Sequence, residues 1–321
     1  MNELDQLLTV LRTAAESTRI RLLALCARSE LTVSELTRIL GQSQPRVSRH
    51  LKLMVDAGLL ERFREGTWAF YRLAHRGGAR DIAARVLDMV PEADAAIARD
   101  RERLAAVKAE RARAAAAYFS KNAEQWDEIR RLHADDEEVE KALLRVIGKH
   151  GVASLLDIGT GTGRMLELFG PQAKRAIGID LSREMLNVAR ANLERAGLDH
   201  CHVRLGDMYG LSADDERFDL IIIHQVLHYA DQPALVVAEA ARVLARAGRL
   251  VVVDFAHHDL EYLRTDHAHR RLGFDDEEVA TWCEAAALDP SAPIAVPGDP
   301  LTVKIWTATA AAAGDAAGAG R

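Results

Sequence analysis

Leu155-Leu156-Asp157-Ile158-Gly159-Thr160-Gly161-Thr162-Gly163 decides how the larger part of this chain folds, because an apolar strand pattern runs directly into three glycines at alternate positions and then into a helical pattern. Glycine is needed at such a turn, where the backbone must leave the strand sharply and admit a ligand to a distance that any Cβ would block. A second apolar run, Ala176-Ile177-Gly178-Ile179, ends in Asp180, seventeen residues beyond Gly163. An acidic residue there suits a pair of ribose hydroxyls. The stretch reads as a nucleotide-binding turn of an α/β domain. Its spacing is neither G-x-G-x-x-G nor G-x-x-x-x-G-K-[ST], since Arg164 and Met165 follow Gly163, so it lacks the usual dinucleotide and phosphate-loop fingerprints.

The Asp-x-Gly-x-Gly-x-Gly segment resembles motif I of the class I S-adenosylmethionine (SAM) methyltransferases, whose ligand carries no phosphate. The resemblance covers residues 118–308 and implies a Rossmann-like, seven-stranded α/β domain. It also implies SAM or its product S-adenosylhomocysteine (SAH) as cofactor, at Asp157, Gly159, Thr160, Gly161, Gly163, Asp180, Leu181, Met185, Gly206, Asp207, Met208, His224 and Trp126. Val203 to Leu205 looks like a third strand ending in Gly206-Asp207, where the family places an acidic residue at the adenine amino group. Phe218-Asp219-Leu220-Ile221-Ile222-Ile223 has the continuous apolar character of a buried parallel strand. The following His224-Gln225-Val226-Leu227-His228-Tyr229 resembles the segment after strand four in the ubiquinone/menaquinone-type C-methyltransferases. Residues 238–244 read as a helix, Ala247-Gly248 as its stop and residues 249–254 as strand five, with Arg249 where the family usually has a second glycine. Residues 301–308 alternate with period two and suit a closing antiparallel strand. Tyr118, Phe119, Trp126 and Asp127 resemble a cap that closes over SAM; Trp126 suits interface core equally well.

For catalysis the candidates are His224, His228 and Tyr229, with His257, His258, His267 and His269 after strand five, near the carboxyl-end crevice of an open sheet. A general base, a substrate hydrogen-bond donor and a metal ligand all remain open for these histidines. Methyl transfer from a sulfonium needs mainly in-line positioning, so no acid or base is obligatory. The Asn/Asp-Pro-Pro-Tyr/Phe segment of amino-methylating DNA enzymes is absent after Ile223, which argues against a DNA base as acceptor. A small carbon or oxygen nucleophile fits better, by family analogy.

The first ninety residues belong to a different fold. Residues 16–28 place Ile20, Leu23 and Ala27 on one helical face, and residues 32–40 begin with a hydroxyl cap and end at Gly41-Gln42. Ser43-Gln44-Pro45-Arg46 opens a third helix in which Val47, Leu51 and Val55 face inward, turning Arg46, Arg49, His50 and Lys52 outward. Residues 59–73 read as two strands about a Glu65-Gly66 turn. Together these make an α+β winged helix-turn-helix. The segment resembles the ArsR/SmtB family, notably in Gln44-Pro45-Arg46-Val47-Ser48-Arg49-His50-Leu51 and in Ala57-Gly58-Leu59-Leu60 at the entry to the wing. The resemblance implies a double-stranded DNA operator, with Ser43, Gln44, Arg46, Ser48, Arg49 and His50 toward base edges. Lys52 is a further DNA contact, and Arg62, Arg64 and Arg72 of the wing fall on phosphates.

Charge is divided the same way. The chain carries −6 overall, yet residues 1–90 hold fourteen Lys+Arg against ten Asp+Glu, and residues 41–80 hold eight against three. Phosphate attraction needs such local concentration, not a basic total. The thiolate pair of the metal-sensing relatives would fall near residues 33–36, where there is no cysteine, and residues 79–107 contain no histidine. No metal site is therefore assigned, and the three cysteines are too far apart for a zinc or disulfide framework.

The expected organisation is a winged helix over 1–90, a helical linker or dimerisation segment over 91–117, the methyltransferase-like domain over 118–308 and a disordered Ala/Gly tail over 309–321. Ile97, Leu104 and Val107 form a thin apolar seam in the linker that suits helix pairing or a solvated spacer. With no signal peptide before Met1 and no apolar run of membrane-spanning length, the expectation is a cytoplasmic protein without a membrane partner. An inverted-repeat operator implies a homodimer about the first helix and the seam at Leu87, Ile97 and Leu104. Two functions stay open: a regulator that reads SAM or SAH as a signal, and an active small-molecule methyltransferase with an autoregulatory DNA-binding domain.

Overall fold

The computed structural model describes residues 3–65, 68–74, 78–123, 136–148, 152–211 and 217–310. They divide into two compact units, Met1–Arg113 and Ala114–Arg321.

In the first unit α1 (Glu3–Ala14), α2 (Ser17–Cys26) and β1 (Leu31–Thr32) precede the helix-turn-helix pair, α3 (Val33–Leu40) and α4 (Gln44–Asp56). Local chemistry sets these boundaries. Glu16 caps α2 by accepting the Arg19 N–H at 2.9 Å. Thr32 and Glu35 form a reciprocal capping box at the start of α3, and Gly41, at φ 65°, ends that helix in the left-handed conformation. The wing is β2 (Leu60–Glu65) against β3 (Trp68–Leu73), with β1 on the far side of β3 in the order β1-β3-β2. α5 (Gly78–Asp88) follows, and then the long α6 (Ala95–Asn122), of which the residues up to Arg113 belong to this unit. Leu22, Leu36, Leu51 and Leu59 form the centre of one core.

The seam of the long helix departs from expectation. Leu104 and Val107 are 4 % and 3 % exposed and belong to the core of their own unit, so they are not free for pairing with another chain. Polar contacts fix the same stretch. The Arg21 guanidinium donates to both oxygens of Asp100 at 2.5 and 2.7 Å, Arg103 donates to the Ile39 carbonyl and Arg111 pairs with Glu35. The helix also begins later than residue 91 and runs past 117.

The second unit opens with α7 (Asp136–Ile147) and continues through β4 (Val152–Ile158), α8 (Arg164–Phe169), β5 (Ala173–Asp180), α9 (Arg183–Arg195), β6 (Cys201–Leu205) and β7 (Phe218–His224). It closes with α10 (Pro233–Val243), β8 (Leu244–Phe255), α11 (Tyr262–Asp266), α12 (Asp276–Ala285), β9 (Leu288–Pro290), β10 (Ile294–Val296) and β11 (Val303–Ala310). The sheet runs β10-β11-β8-β7-β4-β5-β6, with β9 beside β11. Five strands, β8-β7-β4-β5-β6, are parallel, and β11 closes antiparallel on β8. Seven strands follow one path as expected, and the short β9 is an eighth. The central strands are apolar because helices cover both faces: Leu220, Ile221, Ile222 and Ile223 of β7 are each at most 1 % exposed, a burial worth about 1.5–3 kcal/mol per side chain.

Three boundaries correct the sequence reading. α10 starts at Pro233, five residues before the expected helix, with proline in its first turn. β8 begins at Leu244, and Ala247, at φ 54°, takes the left-handed conformation inside that strand, where its pairing with β7 shifts register. Arg249 instead donates to the Val146 and Ile147 carbonyls at 2.9 and 2.8 Å, tying the end of α7 to the sheet. Of the tail expected from residue 309, Thr309 and Ala310 complete β11, and the remainder lies outside the described residues.

Candidate functional site

The first unit presents a polar face built from α4 and β2. Burial of Val47 and Leu51 turns Ser43, Gln44, Arg46, Arg49 and Lys52 to the exposed side, with Ser48 partly covered. On β2 the period of two leaves Arg62 and Arg64 exposed while Phe63 stacks on Phe70 at 5.5 Å.

Two expected members leave this face. His50 is not an outward reader: its side chain is 15 % exposed and its Nδ1 lies 3.7 Å from Glu16 at the start of α2. Arg72 is not a free phosphate contact either. It bridges Glu61 at 3.2 Å and Glu30 at 3.3 Å and lies 4.7 Å over the Phe63 ring. A guanidinium with two carboxylates and an aromatic face holds β3 in place.

The second unit carries a cradle at the carboxyl ends of β4, β5 and β6, where an open parallel sheet binds ligands. Gly159, Gly161 and Gly163 all have positive φ, at 71°, 52° and 87°. At Gly159 the close approach is decisive, because a Cβ there would stand 2.4 and 2.8 Å from the methyls of Val226. The turn is clamped by hydrogen bonds from the Gly159 and Thr160 N–H groups to the Ile179 carbonyl, both at 2.8 Å. Asp157 is 1 % exposed at the end of β4, and Met185 is 1 % exposed beneath the first turn of α9, its N–H accepted by Ser182 Oγ.

Asp180 ends β5 with each oxygen already engaged: Oδ2 accepts the Gly161 N–H at 2.9 Å and Oδ1 the Ser182 N–H at 2.8 Å. Burial raises its pKa above the ordinary value, against the lowering effect of the N–H groups of Ser182, Gly161 and Leu181. With about four acceptor sites, the carboxylate keeps capacity for a further donor such as a hydroxyl. Beside it, Leu181 and Leu205 are 64 % and 52 % exposed with Met208 half-buried nearby, a set of apolar side chains left for a flat heterocycle. Gly206 donates to the Asp180 carbonyl at 3.0 Å, and exposed Asp207 accepts the Tyr209 N–H through Oδ1.

After β7 the chain turns sharply. His224 ends the strand half-buried, and Gln225 sits at φ 53° with its N–H donated to the Val253 carbonyl at 2.7 Å. Tyr229 packs edge-on against Phe119 at 4.8 Å. Trp126, expected to face the cofactor, lies outside the described residues.

Three residues were not legible as site members: Gln225, Tyr209 and Asp254. Tyr209 accepts the Asp231 and Gln232 N–H groups on its hydroxyl at 2.7 and 3.0 Å, and burial pushes that hydroxyl up to about 12. It thereby ties the loop after β6 to the loop before α10. Asp254, 0 % exposed, accepts from His228 Nδ1 at 2.7 Å. His258 lies in the same region with its imidazole pushed down to about 4, by burial first and then by His228 and His257.

These two sites define a chain with a winged helix-turn-helix region and a Rossmann-like methyltransferase fold. Residues 16–62 match the family described as bacterial regulatory protein, arsR family, and residues 156–252 match the methyltransferase domain family. Over 65 residues the chain is 48 % identical to the arsenic resistance transcriptional regulator ArsR1 of Pseudomonas putida, covering 20 % of this chain and 51 % of that protein. Over 136 residues it is 30 % identical to the uncharacterized methyltransferase YcgJ of Bacillus subtilis, covering 42 % of this chain and 53 % of that protein. The chain thus spans about half the length of these curated relatives. A chain in the complex between the Haloferax volcanii Trm112 methyltransferase activator and a methyltransferase shares the fold at TM-score 0.53, with 19 % identity over 61 % of this chain and 97 % of that one.

The chemistry of these residues fits SAM or SAH: a carboxylate held by two backbone N–H groups, a glycine turn without a phosphate-binding lysine, and exposed apolar side chains at the ends of the same strands.

Proposed function

We propose that the chain is a DNA-binding transcriptional regulator whose methyltransferase-like unit binds SAM or SAH as its signal. The observation that carries this reading is the exposed set Ser43, Gln44, Arg46, Arg49 and Lys52 on α4, continued by Arg62 and Arg64 on the wing, in a chain that also holds the Asp157–Asp180–Asp207 cradle. The arginines and Lys52 supply charge toward phosphates, and Ser43 and Gln44 supply hydrogen-bonding groups for base edges.

The chain acts as a homodimer on an inverted repeat. Support comes from α1, where Leu4, Leu7, Leu8 and Leu11 are 61 %, 37 %, 39 % and 42 % exposed at helical spacing, an apolar stripe suited to the same stripe on a second copy. Leu104 is buried within its own unit and takes no part.

A second reading, methyl transfer to a small molecule, is favoured by the buried His228–Asp254 pair. SAM would supply an electrophilic methyl group on a sulfonium, and the residues named above would hold its ribose and adenine.

Calorimetry with SAM and with SAH, followed by operator-binding titrations with and without each, tests the regulator. Operator affinity should change at least about fivefold with one ligand, and reciprocity requires DNA to change that ligand's affinity by the same factor. Gly161→Arg should abolish the response while leaving ligand-free DNA binding intact. Operator affinity indifferent to both ligands would sink the sensing claim.

A further inference from the structure

At the carboxyl ends of β7 and β8 the fold holds an imidazole–carboxylate pair that cofactor binding does not require. Asp254 is fully buried and His228 is 2 % exposed. Oδ1 of Asp254 accepts from His228 Nδ1 at 2.7 Å and from the Phe255 N–H at 2.8 Å, and Oδ2 lies 3.3 Å from the His228 N–H. Each of these contacts is a donor to the carboxylate, so the imidazole proton belongs on Nδ1 and Nε2 carries the lone pair.

That Nε2 is buried and has no hydrogen-bond partner among the described residues. Keeping a buried polar atom unsatisfied carries a desolvation cost, and such atoms concentrate where a ligand completes the set. The surroundings hold the ring in place without satisfying it. His269 stacks on it at 4.0 Å, Tyr229 lies at 4.1 Å and Phe255 at 5.2 Å. The Arg270 and Arg271 N–H groups grip the His228 carbonyl at 2.8 and 3.0 Å. Nearby His258 has its Nδ1 occupied by the Leu260 N–H and a buried Nε2 that also lacks a partner among the described residues. No three such side chains among the described residues are arranged to hold a metal ion.

We infer that His228 takes the proton from the methyl acceptor, that Asp254 is its positioning residue, and that the acceptor is a phenolic or enolic hydroxyl. The inference rests on the methyl-transferring reading above. An acceptor that is already a free nucleophile, such as a tertiary amine or thioether, needs no base; a hydroxyl does. In the step the acceptor oxygen forms a bond to the methyl carbon, and the carbon–sulfur bond of the sulfonium breaks with its electron pair staying on sulfur as a neutral thioether. The hydroxyl proton passes to His228 Nε2, and Asp254 compensates the imidazolium. Because Nε2 is enclosed, the acceptor reaches it only as the packing around the His228 ring opens.

Two measurements on the full chain test this. Long-range proton–nitrogen NMR on histidine-labelled protein, with His228 assigned by its loss in His228→Asn, reads the tautomer without turnover. Nε2 should be unprotonated at neutral pH in the parent chain, and Asp254→Asn should move the proton to Nε2. An Nε2 that is protonated in the parent chain overturns the assignment. In the second, labelled SAM is supplied with catechol, whose hydroxyls stay protonated at neutral pH, as the acceptor probe. His228→Asn should lower kcat by about 100-fold or more with the probe's KM within a few-fold, and remove the acidic limb of the pH profile, where activity falls as the base is protonated. A variant that melts earlier but keeps kcat and the pH profile would mean a structural role and overturn the proposal. SAH calorimetry separates the failures: SAH binding with no methylation of the probe overturns the acceptor class, whereas no SAH binding removes the methyl-transferring reading and the base with it.

Discussion

In each unit a histidine stands beside a carboxylate, and the two pairs serve different ends. His50 and Glu16 stand 3.7 Å apart with side chains 15 % and 30 % exposed, and the Glu16 carboxylate already caps α2 through the Arg19 N–H. His228 and Asp254 stand 2.7 Å apart with side chains 3 % and 0 % exposed. The first distance is beyond a hydrogen bond and leaves a helix cap with a nearby imidazole; the second is a short bond inside the sheet that fixes a tautomer. Residue type does not separate them. Burial and the donors around the carboxylate do.

The sharpest way to break this comparison is to remove the two carboxylates. Asp254→Ala strands a buried imidazole N–H and backbone N–H groups, and should cost the second unit about 1–3 kcal/mol for each donor left unsatisfied, read from urea unfolding. Glu16→Ala removes a cap and should cost the first unit about 1 kcal/mol. Equal costs would show that burial is not what distinguishes the pairs.

A second test probes the cradle beside the buried pair. Gly159→Ala drives a Cβ into Val226 at a residue with φ 71° and should destabilise the second unit by about 1–3 kcal/mol, with SAH affinity down more than tenfold. Adding Val226→Ala should recover part of the stability but not the part due to positive φ, which a double-mutant cycle measures.

Acidification should separate the units in order. The fold lowers the pKa of His258 from 6.5 to about 4, so it favours the neutral ring. That contribution is complete above about 6.5 and is lost as pH falls toward 4. For Glu16, burial opposes ionisation, but the N–H groups of Thr18 and Arg19, the Thr18 hydroxyl and His50 bring its pKa below 4.5. Its contribution is present above 4.5 and fades only as pH falls below that. Thermal melts at stepped pH should show the second unit weakening first. An effect as small as that of Glu16→Ala should come from Thr32→Ala at the capping box of α3, about 1 kcal/mol in the first unit alone.

The turn from Leu155 to Gly163 was legible because strand, glycines and helix follow one another along the chain, and the helix-turn-helix was legible for the same reason. What escaped is set by partners distant in sequence. The inward faces of α4 could be read from spacing, but not that Glu16 would draw His50 aside. Arg72 is held by Glu30, forty-two residues earlier. The apolar seam of α6 announced that a partner exists without saying which, and the partner is the core of its own unit. His228 and Asp254 meet because β7 and β8 pair in parallel with His224 opposite Val253, a register that no local pattern encodes. The early start of α10 did have a local signal, Pro233, in a first-turn position.

Asp180 gives the cradle a further property. Its carboxylate is oriented by two backbone N–H groups of its own unit, so the cost of ordering that side chain is met when the unit folds. A hydroxyl pair meeting this carboxylate would find its acceptor already held in place by the glycine turn and the start of α9.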